Sequence, residues 1–155
     1  SPADCGPVVV GDKLMVADRD YYLTIIDAAK GEPIRSVKQV SAVGVSEDGM
    51  HAYLRKTTGE LVKIDSQGNE VWSVPAQLDV IPTPPVEKNG VVYVVSKNGL
   101  LSAVSAKLGK VLWQYQASPQ LFVMAPIACD TRNVYVVSSD GHLTAVRCDQ
   151  QPAGT

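Results

Sequence analysis

A chain of 155 residues is long enough for one domain with a hydrophobic core, and its 45% apolar content excludes an intrinsically disordered chain. The 14 basic and 16 acidic residues nearly balance without forming a basic cluster, so we expect no nucleic-acid partner. No apolar run approaches the roughly 20 residues of a membrane-spanning helix, so we expect no direct membrane insertion.

Short strand-like segments follow one another in a repeating order. An apolar segment comes first, at 7–10, 42–45, 84–86 and 125–128. A second strand follows at 13–17, 51–54, 91–95 and 134–137, and the third of these is a continuous β-branched and aromatic run. A third strand with a leading leucine occupies 23–27, 61–65, 100–105 and 143–147. A fourth strand is predicted only at 32–37, 70–74 and 110–115.

The spacing of the third strands identifies the repeat. With Ile26, Ile64, Val104 and Val146 as equivalent positions, the intervals are 38, 40 and 42 residues. This period is typical of four-stranded propeller blades. The sequence therefore predicts an all-β propeller over residues 1–149, with about four antiparallel blades at approximately 5–38, 40–75, 81–116 and 122–148, and a polar tail at 150–155.

Tight turns join the second and third strands. Asn98-Gly99 favours a two-residue type I′ hairpin, because both residues tolerate positive φ. Thr58-Gly59 and Asp140-Gly141 stand at the corresponding places. Arg19-Asp20 contains no glycine, so we expect the first turn to be longer or differently shaped.

The fourth repeat has no predicted fourth strand. Propeller rings usually close by combining strands from both chain ends in one blade, so we expect the C-terminal part of a larger ring. In the alternative, four blades close on themselves with a three-stranded last blade. A homodimer in which two copies complete one ring is a further hypothesis.

The third repeat carries a motif, Ala103-Val-Ser-Ala-Lys-Leu-Gly109-Lys110-Val-Leu-Trp113, that resembles the tryptophan-docking motif of the pyrroloquinoline-quinone-like (quinoprotein-like) β-propeller repeat family. The second repeat keeps Asp65, Gly68 and Trp72, whereas the first keeps Asp27 and Gly31 but has Arg35 where tryptophan is expected. The resemblance covers nearly the whole chain. It implies that these residues dock one blade on the next, so we expect Trp72 and Trp113 to pack between blades rather than to stack on a ligand.

The resemblance implies several functions, because the family includes quinone-dependent dehydrogenases, a lipoprotein of the outer-membrane barrel-assembly machine, and sensor domains. It also implies an extracytoplasmic location, periplasmic or cell-surface, in a bacterium. The dehydrogenases of this family use a calcium ion and, in alcohol-oxidising members, adjacent cysteines. This sequence has no adjacent cysteines, and its aspartates lie mostly in turns, where they hydrogen-bond their own backbone.

The residues give no other indication of catalysis or of a cofactor. His51 and His142 are too far apart in sequence to indicate a metal site, and we expect both at the surface. Three cysteines, Cys5, Cys129 and Cys148, cannot all pair within one chain, and their disulfide state stays open. No serine lies in a nucleophile-elbow motif. We therefore expect neither enzyme activity nor a bound cofactor or metal in this chain alone.

A binding role follows from the topology, because the linkers between blades and the turns between second and third strands emerge on one face of a propeller. Candidate contact residues on that face are aromatic or apolar, a composition favoured at interface centres: Tyr21, Tyr22, Gln120, Leu121 and Phe122. We expect at most one of the two tyrosines to face solvent fully, since they would alternate in an extended strand.

The sequence thus predicts a non-catalytic scaffold that binds protein or peptide through this face. Two alternatives are half of a quinone- and calcium-dependent dehydrogenase whose catalytic residues lie upstream, and an extracytoplasmic sensor domain of a bacterial membrane kinase or receptor.

Overall fold

The computed structural model describes residues 6–117 and 126–149, which form four antiparallel sheets. The strands of the first two sheets are β1 (Val8–Val10), β2 (Lys13–Ala17), β3 (Tyr22–Asp27), β4 (Pro33–Lys38), β5 (Val40–Val45), β6 (His51–Lys56), β7 (Glu60–Asp65) and β8 (Glu70–Pro75). Those of the other two are β9 (Val86–Lys88), β10 (Val91–Val95), β11 (Leu100–Ser105), β12 (Val111–Gln116), β13 (Ala128–Cys129), β14 (Asn133–Val137) and β15 (Leu143–Arg147).

Each sheet is one blade, with its strands in chain order. Blades 1 to 3 have four strands, β1–β4, β5–β8 and β9–β12, and blade 4 has β13–β15 among the described residues. The predicted all-β fold with four-stranded antiparallel blades is confirmed. Within the described ranges, no helix has the length and hydrophobicity that crossing a membrane would need.

The innermost strand of blade 3 begins later than predicted. The segment 84–86 was predicted to be an inner strand, but β9 begins only at Val86. The physical reason is that Pro84 and Pro85 have no N–H group to contribute to the ladder. On the neighbouring blade, a Cβ atom added to Gly44 would lie 2.0 Å from the Pro85 carbonyl oxygen. Glycine therefore permits a close backbone approach near the axis.

The turns between second and third strands differ from the prediction. At the Asn98-Gly99 turn, the Gly99 amide donates to the Ser96 carbonyl at 3.0 Å and the Ser96 amide to the Leu100 carbonyl at 2.9 Å. Only Gly99 has positive φ, at 84°. The turn is therefore a three-residue loop with a left-handed glycine, and the type I′ prediction is wrong. This loop needs one left-handed residue where a type I′ turn needs two.

The first turn has the same shape although it has no glycine. The Tyr21 amide donates to the Asp18 carbonyl at 3.1 Å, and the Asp18 amide donates to the Tyr22 carbonyl at 2.9 Å. Tyr21 takes the place of Gly99, with φ of 62°. Asp18 Oδ1 accepts the amides of Asp20 and Tyr22 and so stabilises the turn. The expectation of a longer or different turn is therefore wrong.

Blade-to-blade contacts place a large side chain of one blade on a glycine of the next. Trp72 donates its Nε1–H to the Ala106 carbonyl at 3.0 Å, and a Cβ atom added to Gly109 would lie 2.6 Å from Trp72 Cγ. At Gly68, Arg35 takes the corresponding place together with Ile25, because Ile25 Cδ1 and Arg35 Cδ lie 2.7 and 3.0 Å from such a Cβ atom. Each large side chain therefore fills space that only glycine leaves open.

The other residues of the motif lie in the outer strands and in the loops between the third and fourth strands. Trp113 is 6% exposed, lies opposite Ala103 in the β11–β12 ladder, and donates to the Cys148 carbonyl at 3.3 Å. The Lys110 carbonyl accepts the Ser105 amide at 2.8 Å. Asp65 Oδ1 accepts two backbone amides of its own loop. Around Gly31, in contrast, no atom lies within 4 Å of an added Cβ.

Candidate protein-binding face

The linkers between blades are hydrogen-bonded to the turns between second and third strands. The Val40 amide donates to the Tyr21 carbonyl at 3.0 Å, the Leu78 amide to Gly59 at 3.1 Å, and the Ala117 amide to Gly99 at 2.9 Å. In each case the acceptor is the left-handed residue of the turn. We call the surface formed by these turns and linkers the linker face.

A buried arginine fixes the second linker. Arg55, on β6, has a fully buried side chain, and its Nη2 lies 2.6 Å from Asp79 Oδ1. Its Nε donates to the Asp79 carbonyl at 2.9 Å and its Nη1 to the Val95 carbonyl at 2.7 Å. Burial lowers the pKa of the Arg55 guanidinium, while the hydrogen bond and charge of Asp79 oppose that change. The ion pair with Asp79 therefore offsets the free energy that burying the Arg55 charge would otherwise cost.

Asp79 joins two blades through the same carboxylate. Its Oδ1 accepts from Arg55 of blade 2, and its Oδ2 accepts the Lys97 amide of the blade 3 turn at 2.6 Å. The linker, blade 2 and the blade 3 turn therefore form one connected hydrogen-bond network. Such a network holds an exposed surface in a single arrangement.

Exposed apolar groups lie on the linker face. Within the second linker, Leu78 and Ile81 are buried, whereas Val80 is 49% exposed. Tyr21 and Tyr22, both predicted contact residues, are each 39% exposed. Neither tyrosine is fully exposed, and the left-handed φ of Tyr21 interrupts the extended backbone on which an alternation of the two side chains would depend. The other three candidates, Gln120, Leu121 and Phe122, lie outside the described residues.

A tyrosine–glutamate contact links the inner parts of blades 2 and 3. The Tyr53 hydroxyl donates to Glu87 Oε1, and Glu87 Oε2 accepts the Glu47 amide at 2.7 Å. Desolvation, followed by the bond to Glu87, raises the pKa of the Tyr53 hydroxyl. The Tyr53 ring also lies 6.0 Å from the Trp72 ring. Because the Tyr53 hydroxyl and the Glu87 carboxylate are hydrogen-bonded to each other, we interpret this contact as one that stabilises the interface between blades 2 and 3.

Ionisable side chains elsewhere are dispersed. Among residues 6–117 and 126–149, no group of three or more His, Cys, Asp or Glu side chains is placed to hold a metal ion. The His142 side chain is 80% exposed, as expected, but that of His51 is only 30% exposed. His51 opens β6 and pairs with Asp65 in the ladder, which explains its partial burial.

Two of the three cysteines lie in blade 4 and are unpaired. Cys129 and Cys148 are half-buried beside the Tyr93–Trp113 pair, and Cys5 lies outside the described residues. Desolvation raises the pKa of the Cys129 thiol to about 11, which keeps the thiol protonated at neutral pH.

A concave region lies at the inner strands. It is a groove of about 320 Å³ lined mainly by apolar residues of three blades, including Val8, Val43, Pro84 and Val86. Glu87 also lines it, but its two carboxylate oxygens are already hydrogen-bonded. The groove therefore offers mainly apolar surface.

Arg55, Asp79 and Val80 were not among the residues predicted from the sequence. The burial of Arg55 could have been suspected from the sequence, because this arginine directly continues the predicted strand 51–54. The partner Asp79 had no comparable signal, since the linker shows no periodicity that predicts which of its side chains turn inward.

Comparison with known proteins identifies the family. A family model described as outer membrane protein assembly factor BamB matches residues 22–150. The BamB proteins of Nitrosomonas eutropha and Burkholderia pseudomallei are 32% and 30% identical, over 76% and 71% of this chain. The chain spans 29% of the length of each of these curated relatives. The relatives are named as assembly factors and not as dehydrogenases.

Solved structures agree on the fold. The crystal structure of BamB from Moraxella catarrhalis matches with a TM-score of 0.76 and 19% identity, over 91% of this chain and 47% of that one. The computationally designed Ika4 protein matches with a TM-score of 0.78 and 14% identity, over 91% and 88% of the two chains. With a family model that covers most of its length and a curated relative at 32% identity, the chain belongs to the BamB family of quinoprotein-like propellers.

Proposed function

We propose that this chain is a non-catalytic scaffold that binds a protein or peptide partner through the linker face. The observation that carries the proposal is the Arg55–Asp79 network, which fixes the backbone of the second linker next to the exposed side chain of Val80. Rigid apolar and aromatic anchors reduce the entropy that binding costs.

The family suggests the kind of partner. Its relatives are named as outer membrane protein assembly factors, so the proposed partner is a protein that takes part in this assembly. The proposed location is accordingly extracytoplasmic. Fractionation of the cells that produce the protein tests this location directly, and recovery with the cytoplasmic fraction would contradict it.

Two matched valines test the proposed face. Val80 on the linker face is 49% exposed, and Val71 on the outer strand β8 is 51% exposed. A Val80→Glu variant introduces a charge into the face, whereas Val71→Glu introduces the same charge elsewhere. Proteins of the cell envelope retained by the immobilised wild-type chain should be lost with Val80→Glu and retained with Val71→Glu. Equal retention by all three chains would refute the linker face as the binding surface.

The native mass tests whether a second copy completes the ring. The chain has a mass of 16.5 kDa, and light scattering during gel filtration distinguishes a monomer from a dimer of twice that mass. A stable dimer would support ring completion by a second copy, and a monomer at all concentrations would refute it.

Addition of pyrroloquinoline quinone with calcium tests the dehydrogenase alternative. We expect neither a bound chromophore nor dye reduction. A clear signal in either measurement would contradict the scaffold proposal.

A further inference from the structure

Two of the four asparagines directly precede a glycine. Asn89-Gly90 joins β9 to β10, and Asn98-Gly99 joins β10 to β11. Asparagine is chemically labile, and glycine has no side chain to hinder the attack of its backbone nitrogen on the asparagine side chain. The other two, Asn69 and Asn133, precede glutamate and valine, whose side chains hinder that attack. The sequence alone does not rank the two Asn-Gly sites.

The reaction of an asparagine with the next residue replaces its side-chain amide. The glycine nitrogen attacks the side-chain carbonyl carbon, and a new C–N bond closes a succinimide ring. The bond to the side-chain nitrogen breaks, and ammonia leaves with the proton that the glycine nitrogen gives up. Water then opens the ring at either carbonyl carbon, which yields aspartate or isoaspartate. Nothing is oxidised or reduced, so the reaction needs no reagent except water.

Several hydrogen bonds hold the turn at Asn98. Gly99 is buried, its amide donates to the Ser96 carbonyl at 3.0 Å, and its carbonyl accepts the Ala117 amide at 2.9 Å. The Gln116 side chain donates to the Asn98 carbonyl at 2.6 Å. Because the glycine nitrogen must rotate toward the asparagine side chain, these bonds have to break before it can attack.

The turn at Asn89 is held less firmly. Asn89 and Gly90 are both exposed and have φ of 52° and 78°, and Lys88 pairs with Val91, as in a two-residue type I′ turn. Among the described residues, the Gly90 amide has no acceptor. This turn must also open before attack, but outside the ladder it is tied only by its Gly90 carbonyl, which accepts the Ala106 amide at 3.0 Å. Local opening therefore costs less here than at Asn98.

The Asn89 turn is connected to the docking of blade 2 on blade 3. Ala106, which donates to the Gly90 carbonyl, accepts Trp72 Nε1–H at 3.0 Å and Lys63 Nζ at 2.9 Å with its own carbonyl. Isoaspartate adds one carbon atom to the backbone of a turn that has only two residues. The Gly90 carbonyl is then displaced from Ala106, and the support of the loop that receives Trp72 is reduced.

We propose that Asn89 is a site of spontaneous deamidation through a succinimide with Gly90, and that its isoaspartate product weakens the docking of blade 2 on blade 3. The aspartate product keeps the normal backbone and adds only a negative charge beside Lys88. The proposal does not depend on the linker face, so the two can fail independently.

Ageing of the purified chain at mildly alkaline pH tests the site. Trypsin cleaves after Lys88, Lys97 and Lys107, so mass spectrometry follows the two asparagines in separate peptides, 89–97 and 98–107. In the folded chain, Asn89 should convert at least about threefold faster than Asn98. In urea the two rates should be nearly equal, because both sites read Lys-Asn-Gly followed by an aliphatic residue. A chain digested without ageing corrects for conversion during digestion.

Two results would overturn the assignment. One is conversion of Asn98 in the folded chain as fast as that of Asn89 or faster. The other is no conversion of Asn89 in the folded chain over a time in which the urea-unfolded chain converts.

Stability measurements test the effect on docking. Anion exchange isolates the deamidated chains, and electron-transfer fragmentation distinguishes isoaspartate from aspartate. The chain with isoaspartate at position 89 should unfold at a lower urea concentration than the unaged chain. Asn89→Asp, which adds the charge without the extra backbone atom, should unfold close to wild type.

Asn89→Gly is the matched control, because glycine tolerates positive φ and has no side chain to react. On ageing, this variant should show neither a mass change in its peptide 89–97 nor a loss of stability. Equal stability of the isoaspartate and aspartate chains, or the same loss of stability in aged Asn89→Gly, would refute the effect on docking.

Discussion

Replacing Gly109 with alanine separates the effect of blade docking from the effect of backbone conformation. Gly109 has φ of 65°, and an added Cβ would lie 2.6 Å from Cγ and 2.7 Å from Cδ2 of Trp72. Gly31 has nearly the same φ, 71°, but no atom lies within 4 Å of its added Cβ. Alanine is therefore disfavoured by the left-handed backbone at both positions, whereas only alanine at position 109 also clashes with the Trp72 side chain.

The magnitudes follow from these contacts. A left-handed conformation costs a residue with a Cβ atom about 1–2 kcal/mol, which applies to both Gly31→Ala and Gly109→Ala. Forcing the indole of Trp72 to move adds an overpacking cost of about 1–3 kcal/mol for Gly109→Ala alone. We therefore expect Gly109→Ala to lose more stability than Gly31→Ala by about 1–3 kcal/mol.

Urea unfolding followed by tryptophan fluorescence measures both losses, provided that the m-values agree. A double-mutant cycle sharpens the test, because Gly109→Ala should cost less in a Trp72→Ala chain than in the unaltered chain. Only the Trp72 Cβ atom, 3.0 Å from the added atom, remains to be displaced there, so the cost should approach that of Gly31→Ala. Since Trp72→Ala leaves one tryptophan, circular dichroism should follow unfolding in that background. Equal losses for Gly31→Ala and Gly109→Ala in the otherwise unaltered chain would refute the docking argument.

Three further changes test other contacts. Trp113→Ala should lower the free energy of unfolding by about 3–5 kcal/mol, because the indole is 6% exposed, and a loss below about 1 kcal/mol in a urea titration would contradict its role between blades. Asp79→Asn should cost about 3–5 kcal/mol, since it leaves the buried Arg55 guanidinium without its carboxylate; thermal unfolding of the variant within a degree of wild type would disprove that role. Cys129, with its pKa raised to about 11, should react with iodoacetamide at pH 8 far more slowly in the folded chain than in urea, and its reactivity should rise as the pH approaches 11. Peptide mass spectrometry measures the reaction, and equal rates in both states would show that the thiol is not desolvated.

The architecture was predictable because each blade repeats a local pattern. The leading leucines of the four third strands and the glycines of the last three turns recur at regular intervals, so errors in single strands did not disturb the period. The type of turn was less predictable, since Asn-Gly suits both a type I′ turn and a loop with one left-handed residue. Tyr21 shows the limit clearly, because tertiary contacts hold a tyrosine in a conformation that its own preference disfavours.

The binding surface was predictable only in its location. Topology places turns and linkers on one face, and the hydrogen bonds from Val40 and Leu78 to the turns show them together. Which linker side chains face inward depends on long-range partners, as with Asp79, whose two carboxylate oxygens bond to different blades. The neighbouring residues in the sequence do not indicate such long-range partners.

Each docking contact joins a blade only to the next one along the chain. Arg35 reaches Gly68, Trp72 reaches Gly109, and Trp113 reaches Cys148. When interactions are confined to nearest neighbours, stability grows nearly in proportion to the number of repeats. Gene duplication or loss of a single repeat then creates or removes one interface and leaves the others unaltered. The number of blades can therefore change during evolution while the docking contacts between the other blades are kept.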